Sequence, residues 1–256
     1  MTDARLDDRA IIAVSGPEAR GFLQGLITND VEKVKPGQAI YAALLTPQGK
    51  ILFDFILCEG DGVLMIDCAR DARDALIKRL TLYRLRAKVT IEPRDQLSVY
   101  TGEVWPRGLH FPDPRLMALG TRTIGATAEM PDAVATAESY HARRLELGVP
   151  EAGDFGSDRM LALDADLDEL HAIDFEKGCY VGQELTARMK HRGTARKRLL
   201  VVEGEVAAGA ELKLDDAVIG EVTAMYGGRG FALVRLDKLG DATEANGVRV
   251  SRQSWL

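Results

Sequence analysis

The sequence is short of cysteine and of long apolar runs, and each shortage excludes a class of protein. Three cysteines without a CxxC pair do not form a disulfide framework, and none of the four histidines lies close enough to a cysteine to suggest a zinc site. No apolar run reaches the roughly 18 to 20 residues that span a bilayer. The polar start MTDARLDDRA is unlike a signal or transit peptide. We therefore expect a cytoplasmic protein with no metal site and no membrane partner.

The charge balance argues against a protein whose main task is to coat nucleic acid. The formal net charge is −6, so a polyanion is repelled by the chain as a whole. Hydrophobic residues make up 46% and charged residues 28% of the 256 positions, as in ordinary folded domains. No repeat of fixed period is present, and the chain is long enough to bury a core of its own.

Apolar spacing in the first part of the chain predicts a mixture of strands and helices. A strand over 10–14 precedes a helix that starts near Ala19, and three strands follow over 36–70. Helical spacing then returns over 70–85 and 133–147.

The end of the chain has a different pattern. From Leu199 onward, short apolar runs are separated by glycine-rich turns, which predicts a small β-barrel or β-sandwich. We therefore expect two domains, residues 1–196 and residues 197–256.

Two aspartates lie in the hairpin predicted from strands 52–58 and 63–68. If residues 59–62 form the turn, Asp54 lies directly opposite Asp67 on one face of the sheet. Opposed carboxylates repel each other by up to about 1 kcal/mol, so this arrangement indicates a polar ligand that offers donor groups. A register shifted by one residue, or a solvated face, remains the alternative interpretation.

A further acid lies in the last turn of the helix predicted over 133–147. Arg143 and Arg144 there suit the negative end of the helix dipole, whereas the carboxylate of Glu146 opposes it. Gly148 indicates the end of the helix. Spacing alone favours a solvated Glu146 over a ligand contact.

Positive charge is concentrated in the segment KHRGTARKR, Lys190 to Arg198. Six cationic or near-cationic side chains lie within these nine residues. They predict an anion site for phosphates or for a polycarboxylate tail, although a solvated face is the ordinary explanation of such a run. RNA is an alternative partner, but no aromatic residues are interleaved for stacking, and direct nucleic-acid binding is disfavoured.

Cys179 precedes this segment, within DFEKGCYVGQELTARMKHRG. Gly178 and Gly182 on either side predict a loop rather than a helix interior, and Lys177 adds positive charge that favours a thiolate. The alternative is that Cys179 packs as a small hydrophobic residue.

The segment KGCYVGQE (177–184), followed by RMKHRG and KRLL, resembles the signature of the YgfZ-type folate-binding proteins. These are relatives of the glycine-cleavage T-protein and include mitochondrial iron–sulfur assembly factors. The segments FLQGLITNDV, YAALLTPQGKILFDF, FPDPRLMALGTR and RLELGVPEAGDF also resemble family elements, in the same order. The resemblance therefore covers most of the chain.

This resemblance implies an α+β fold, a ring-like arrangement of α/β modules with a small C-terminal β-barrel. It also implies that the cofactor is tetrahydrofolate or a one-carbon derivative. Residues matching Asp54, Asp67 and Glu146 contact the pterin in the T-protein family, so the three are expected to share one pocket. Arg144 and Tyr180 are further folate-binding candidates. The T-protein commonly has asparagine where this chain has Asp67, which changes the chemistry of that contact.

For function, the resemblance implies a tetrahydrofolate-binding accessory protein that supports assembly, maintenance or repair of iron–sulfur clusters in client enzymes. Cys179 and Lys177 are the candidate catalytic residues, and client or assembly proteins are the expected partners. In bacterial members this support reaches tRNA modification indirectly. The alternative is a folate-dependent aminomethyl transferase, but the T-protein's paired acids are only half present here, as Phe53-Asp54.

Overall fold

The computed structural model describes residues 3–102, 107–130, 135–193 and 196–256, and the chain folds as two compact units. The first unit comprises Met1–Leu44, Phe53–Arg143 and Leu170–Val181. The second comprises Leu45–Leu52, Arg144–Glu169 and Gly182–Leu256. Each unit therefore combines three separate stretches of sequence. The domain boundary expected at residues 196 and 197 stays a prediction.

The first part of the chain forms two antiparallel sheets. Its strands are β1 (Ala4–Leu6), β2 (Arg9–Ser15), β3 (Ile40–Leu45), β4 (Ile51–Gly60), β5 (Val63–Ala69), β6 (Thr90–Pro93), β7 (Leu97–Gly102), β8 (Leu109–Pro112) and β9 (Thr121–Ala126). One sheet has the order β3-β4-β5-β2-β6, and the other has the order β1-β7-β9-β8. The strands expected over 10–14 and within 36–70 are confirmed.

One face of the five-stranded sheet is covered by two helices, α1 (Ala19–Gln24) and α2 (Arg73–Arg84). Leu23 of α1 and Leu76 and Leu80 of α2 are fully buried in the same cluster as Phe55 and Ile66 of the sheet. A fully buried leucine or phenylalanine contributes roughly 1.5–3 kcal/mol, so this cluster holds helices and sheet together. Because side chains alternate along a strand, the opposite face carries a different set of residues.

The register of the β4–β5 hairpin differs from the predicted one. Asp67 lies opposite Ile56 rather than opposite Asp54, because β4 continues to Gly60 and the turn contains only Asp61 and Gly62. Both turn residues have positive φ, 52° and 72°, as a two-residue hairpin turn of type I′ requires. The difference of two residues along β4 leaves Asp54 and Asp67 on the same face, but not opposed.

The remaining helices are α3 (Ala137–Leu147), α4 (Ala152–Phe155), α5 (Gln183–Arg192) and α6 (Leu236–Leu239). The helices expected over 70–85 and 133–147 are therefore present, although 131–134 lie outside the described residues.

The end of the chain is all β, as predicted. Its strands are β10 (Lys197–Glu203), β11 (Glu211–Leu214), β12 (Ala217–Tyr226), β13 (Arg229–Arg235), β14 (Glu244–Ala245) and β15 (Val248–Ser251), in the order β11-β12-β13-β10-β15-β14. The Asn246 side chain accepts from the Lys213 backbone N–H at 2.9 Å and donates to the Glu211 carbonyl at 3.4 Å. These bonds join the two edges of the sheet and nearly close it into a barrel. The α+β class with a C-terminal barrel is confirmed.

Candidate functional site

Cys179 lies in the loop that precedes α5, as predicted. It is the exposed cysteine, since Cys58 in β4 and Cys68 in β5 are buried. Burial raises the pKa of Cys58 far above its ordinary range and raises the pKa of Cys68 to about 12. Reagents and partner proteins therefore have access to Cys179 in preference to the other two thiols.

The ammonium group of Lys177 anchors this loop to the end of α1 and to the chain that follows it. Its Nζ donates hydrogen bonds to the carbonyl oxygens of Gln24 at 2.9 Å, Ile27 at 2.8 Å and Asn29 at 2.8 Å. It also lies 5.3 Å from the centroid of the Tyr180 ring. Burial lowers the pKa of Lys177 to about 8. All three N–H groups of the Lys177 ammonium therefore donate to backbone carbonyls inside the fold. Lys177 stabilises the structure, whether or not it also takes part in chemistry.

Asp174 shapes the turn before the cysteine. Its Oδ1 accepts hydrogen bonds from the backbone N–H groups of Glu176 at 2.8 Å and Lys177 at 3.0 Å, and its Oδ2 lies 2.8 Å from the Lys33 ammonium. Burial alone would raise the pKa of Asp174, but these donors outweigh it and lower the pKa. The turn is therefore held in place without any contribution from Cys179.

The residues that follow Cys179 also have structural reasons for their identity. Tyr180 is buried, which raises its pKa to about 12, and Val181 packs against the core of the first unit. Gly182 has φ of +84°, and a Cβ there would lie 2.5 Å from the Thr46 carbonyl oxygen. The Cys179 side chain, by contrast, makes no hydrogen bond within the described part of the chain.

The first unit also contains buried polar residues on the face of the five-stranded sheet that α1 and α2 leave free. Asp67 is fully buried, and Arg9 Nε lies 2.7 Å from its Oδ1 while Arg122 Nη1 lies 2.6 Å from its Oδ2. Arg9 also donates to the Asp67 carbonyl oxygen at 2.8 Å. Both arginines are buried, and a buried carboxylate requires such partners.

Arg122 extends this network to a second carboxylate. Its Nε lies 2.8 Å from Asp113 Oδ2, and Arg115 Nη2 lies 2.7 Å from the same oxygen. Both guanidinium groups donate to the Tyr140 hydroxyl. Burial alone would raise the pKa of Asp113, but the two arginines outweigh it and lower the pKa to about 2.

Asp54 is the third carboxylate on this side of the first unit. Its Oδ2 accepts a hydrogen bond from the Tyr41 hydroxyl at 2.9 Å, and the side chain is buried. The Arg115 guanidinium lies 5.6 Å from the centroid of the Tyr41 ring, which connects Asp54 to the arginines. Asp67 and Asp113 pair with the three arginines, and Asp54 joins the group through Tyr41. We call these residues, with Tyr41 and Tyr140, the buried charge network.

The donor-rich edge of a reduced pterin requires acceptors at a shielded position, and Asp54 has the right chemistry for that role. Asp67 is also an acid, but each of its oxygens already accepts a hydrogen bond from an arginine. The folate contacts expected for Asp54 and Asp67 stay predictions. Asp54 therefore suits a contact with the cofactor better than Asp67 does, because both oxygens of Asp67 already accept hydrogen bonds from arginines.

Arg144 and Glu146 belong to the second unit. The buried Arg144 guanidinium lies 2.7 Å from Asp154 Oδ2 and 5.8 Å from the centroid of the Tyr226 ring. Glu146 is exposed in the last turn of α3, and its backbone carbonyl accepts from Arg229 at 3.4 Å. The expected meeting of Glu146 with the two aspartates of the first unit stays a prediction, as do the roles of Arg144 and Tyr180.

Two cations of the basic segment, Lys190 and Arg198, form ion pairs with Asp168. Arg198 is buried, with Nη1 2.6 Å from Asp168 Oδ1 and 2.6 Å from the Leu163 carbonyl oxygen. Lys190 Nζ lies 2.8 Å from Asp168 Oδ2, and these two cations lower the pKa of Asp168 against the effect of burial. Lys190 is nevertheless exposed, and the other exposed cationic or near-cationic residues of the segment are His191, Arg192, Arg196 and Lys197.

Sequence reasoning missed the arginines and tyrosines of the buried charge network. Arg122 is the second residue of β9, between Thr121 and Thr123, and is 1% exposed. A charged residue in such a position indicates a buried partner. Its partner Asp113 lies nine positions earlier, in a loop after β8, and no local spacing connects the two.

Metal-binding groups and membrane-spanning helices are absent from the described residues. Within the described ranges, no three histidine, cysteine, aspartate or glutamate side chains come together as a metal-binding group would. The described helices are all too short or too polar to cross a bilayer.

Comparison with known proteins defines the family. Residues 8–95 match the model of the GCVT N-terminal domain, and residues 196–256 match that of the CAF17 C-terminal β-barrel domain. The iron–sulfur cluster assembly factor IBA57 of Mus musculus is 32% identical, over 92% of this chain and 78% of its own length. The Homo sapiens protein of the same name gives the same three values.

The chain belongs to the IBA57 family. A Neurospora crassa IBA57 homolog is 37% identical over 77% of the chain, and the match spans 52% of that longer protein. The resemblance to mitochondrial iron–sulfur assembly factors is thereby confirmed, while the narrower grouping with YgfZ-type proteins stays a prediction.

The chain also has the fold of the T-protein. A crystal structure of the glycine cleavage system aminomethyltransferase T from Bartonella henselae matches 99% of the chain and 86% of that protein, with a TM-score of 0.78. At 17% identity this likeness establishes the fold alone. The T-protein-like fold expected from the sequence is confirmed.

The expectation of a cytoplasmic protein is wrong. The IBA57 relatives are named as mitochondrial proteins. Sparse, unpaired cysteines indicate a reducing compartment but do not distinguish one such compartment from another. The cysteine count therefore could not separate the cytoplasm from the mitochondrion.

Proposed function

We propose that this chain supports iron–sulfur cluster assembly, maintenance or repair in client proteins through the thiol of Cys179. One observation carries the proposal: Cys179 is exposed, while its neighbours in the signature are held by structural contacts of their own. The relatives bear the name of iron–sulfur cluster assembly factors. Thiolates are the usual protein ligands of such clusters, so an exposed thiol suits that chemistry. An effect on tRNA modification would follow indirectly, through client enzymes.

The test is a deletion strain in which iron–sulfur enzyme activities are measured after complementation. Cys179→Ser should fold normally and fail to restore these activities. Gly178→Ala is the matched control, because a Cβ at Gly178 meets no atom within 4 Å and the thiol is retained. Full restoration by Cys179→Ser, or equal failure of both variants, would contradict the proposal.

The second part of the proposal is that the chain binds tetrahydrofolate. The fold is that of a glycine-cleavage aminomethyltransferase, and Asp54 is a buried acceptor on the sheet of the first unit. Asp54→Ala and Glu146→Ala should each weaken tetrahydrofolate binding by about 1–3 kcal/mol, the cost of losing a hydrogen-bond acceptor that the bound ligand shields from water. Glu138→Ala, an exposed acid on the same helix as Glu146, is the control. Unchanged affinity in both test variants would refute the assignment.

The exposed cations of the basic segment are the candidate site for the folate's glutamate tail. Polyglutamylated tetrahydrofolate should bind more tightly than the monoglutamate, and the difference should shrink with salt, because exposed charges are screened beyond about 8–10 Å. Arg192→Ala should reduce the difference. Equal affinity for both forms at low salt would exclude this site.

Aminomethyl transfer is the second candidate function. The likeness of fold to aminomethyltransferase T favours it. Purified protein should then turn over methylene-tetrahydrofolate with the other components of the glycine cleavage system. Absence of turnover under conditions where a T-protein is active would leave the accessory function as the better account.

A further inference from the structure

The end of α2 and the residues after it combine exposed leucine with unneutralised positive charge. The stretch KRLTLYRLRAK, residues 78–88, contains five cations and no acid. We call its outward-facing members the α2 surface: Lys78, Arg79, Leu82, Leu85, Arg86 and Lys88. None of them belongs to the candidate site described above.

The two leucines of the α2 surface are not core residues. Leu76 and Leu80 form the inward face of α2 and are fully buried, whereas Leu82 is 63% and Leu85 is 87% exposed. Leu82 follows Lys78 by four positions and Arg79 by three, which places the three side chains next to one another on the outer face of the helix. Exposed apolar side chains grouped with cations in this way are typical of interaction surfaces.

The backbone at Leu85 gives an independent indication. Its φ is 46° and its ψ is −105°, at the C-terminus of α2. Glycine adopts positive φ without cost, whereas a leucine there is strained. A bulky, exposed side chain in a strained position does not serve the folded state, so binding is the better explanation of its presence.

The cations of the α2 surface are not neutralised by salt bridges among the described residues, although the Glu18 carboxylate accepts a hydrogen bond from the Lys88 backbone N–H and Asp74 lies four residues before Lys78. No acid in the described part of the chain forms an ion pair with Lys78, Arg79, Arg86 or Lys88. This positive surface lies on a chain of net charge −6. The chain as a whole repels a polyanion such as nucleic acid or an anionic membrane, whereas a partner with a local acidic surface is attracted to the cations alone.

We propose that the α2 surface docks a partner protein that has an apolar pocket for Leu85 bordered by acidic side chains. Protein interfaces combine an apolar centre with a polar rim, and the two leucines with their four flanking cations match that anatomy. A bilayer would require a larger apolar area than two leucines supply. The inference does not depend on the iron–sulfur function, because its test measures binding directly.

The experiment begins with a cross-link. The full chain, with Leu82 replaced by p-benzoylphenylalanine, is expressed in the deletion strain and irradiated. The proposal requires a protein cross-link, whose partner is identified by mass spectrometry and purified. A chain that forms no cross-link, or cross-links only to lipid or nucleic acid, would overturn the proposal.

The purified partner then supplies the quantitative test. Leu85→Gly and Arg86→Glu should each weaken binding at least about tenfold, as loss of a central interface residue does. Affinity for the unaltered chain should also fall with salt. Val218→Ser and Lys35→Glu, which alter an exposed apolar residue and an exposed cation elsewhere, should leave affinity unchanged.

Leu85→Gly separates binding from folding, because it removes the side chain and relieves the strained backbone. Its melting temperature should stay the same or rise while binding falls. Unchanged affinity in this variant, or co-sedimentation of the unaltered chain with phosphatidylserine vesicles in preference to the partner, would contradict the proposal.

Discussion

Asp67→Asn is the sharpest test of the buried charge network. Asparagine has nearly the same shape as aspartate, and it is the residue common in the T-protein at this position. In this chain the Asp67 carboxylate has no solvent exposure, and its two oxygens lie 2.7 Å from Arg9 and 2.6 Å from Arg122. The substitution therefore removes one negative charge from between two buried arginines and changes little else.

We expect a loss of unfolding free energy of about 3–5 kcal/mol, the range for removing one partner of a buried ion pair. The arginines then carry one uncompensated positive charge. In addition, the amide nitrogen of asparagine faces a guanidinium group, and it cannot accept a hydrogen bond from that group. Replacing Arg9 with methionine in the same chain should recover part of this loss, because the excess charge is removed.

Urea denaturation followed by circular dichroism measures the effect, with stability taken from the midpoint at constant slope. Asp7→Asn is the control, since Asp7 pairs with Arg5 at 2.8 Å but is 71% exposed and should contribute little. Equal midpoints for Asp67→Asn and Asp7→Asn would refute the electrostatic account of the network.

Three further predictions concern the anchor, acid stability and the thiols. Lys177→Met should destabilise the chain by about 3 kcal/mol, because three backbone carbonyls lose a charged donor, and urea denaturation against Cys179→Ser checks this. The folded pKa of Asp113, about 2, lies below its unfolded value. Its contribution of about 2 kcal/mol should thus be present above pH 4 and lost as the pH falls through 2, which acid titration of stability measures. A brief iodoacetamide pulse should label Cys179 well before Cys58 or Cys68, because only the first is exposed, and peptide mass spectrometry reads the order.

The strands and helices that hold the core were predictable because their apolar periodicity is regular. The hairpin register was missed for a specific reason. Asp61-Gly62 is the strongest signal for a two-residue turn, but Glu59 and Gly60 also suit a turn, and a four-residue turn moves the register by two residues. The predicted and the observed registers differ by two residues, so both put Asp54 and Asp67 on the same face of the sheet. The shared face was therefore predictable, whereas the residue opposite Asp67 was not.

The candidate site, too, was predictable only in part. The exposure of Cys179 and its place in a loop followed from the glycines around it, but the structural task of Lys177 did not. Its three acceptors are backbone carbonyls about 150 positions earlier in the chain, and no side-chain pattern marks them. The arginine partners of Asp67 likewise come from β2 and β9, which only the folded sheets bring together.

The central claim is that the thiol of Cys179 supports iron–sulfur enzymes. The most direct measurement adds purified protein, alkylated to different extents, to an extract of the deletion strain and follows recovery of iron–sulfur enzyme activity. Native protein alkylates first at Cys179, so the account predicts that recovery falls in proportion to the fraction of Cys179 that is modified. Full recovery with protein completely alkylated at Cys179 would contradict it.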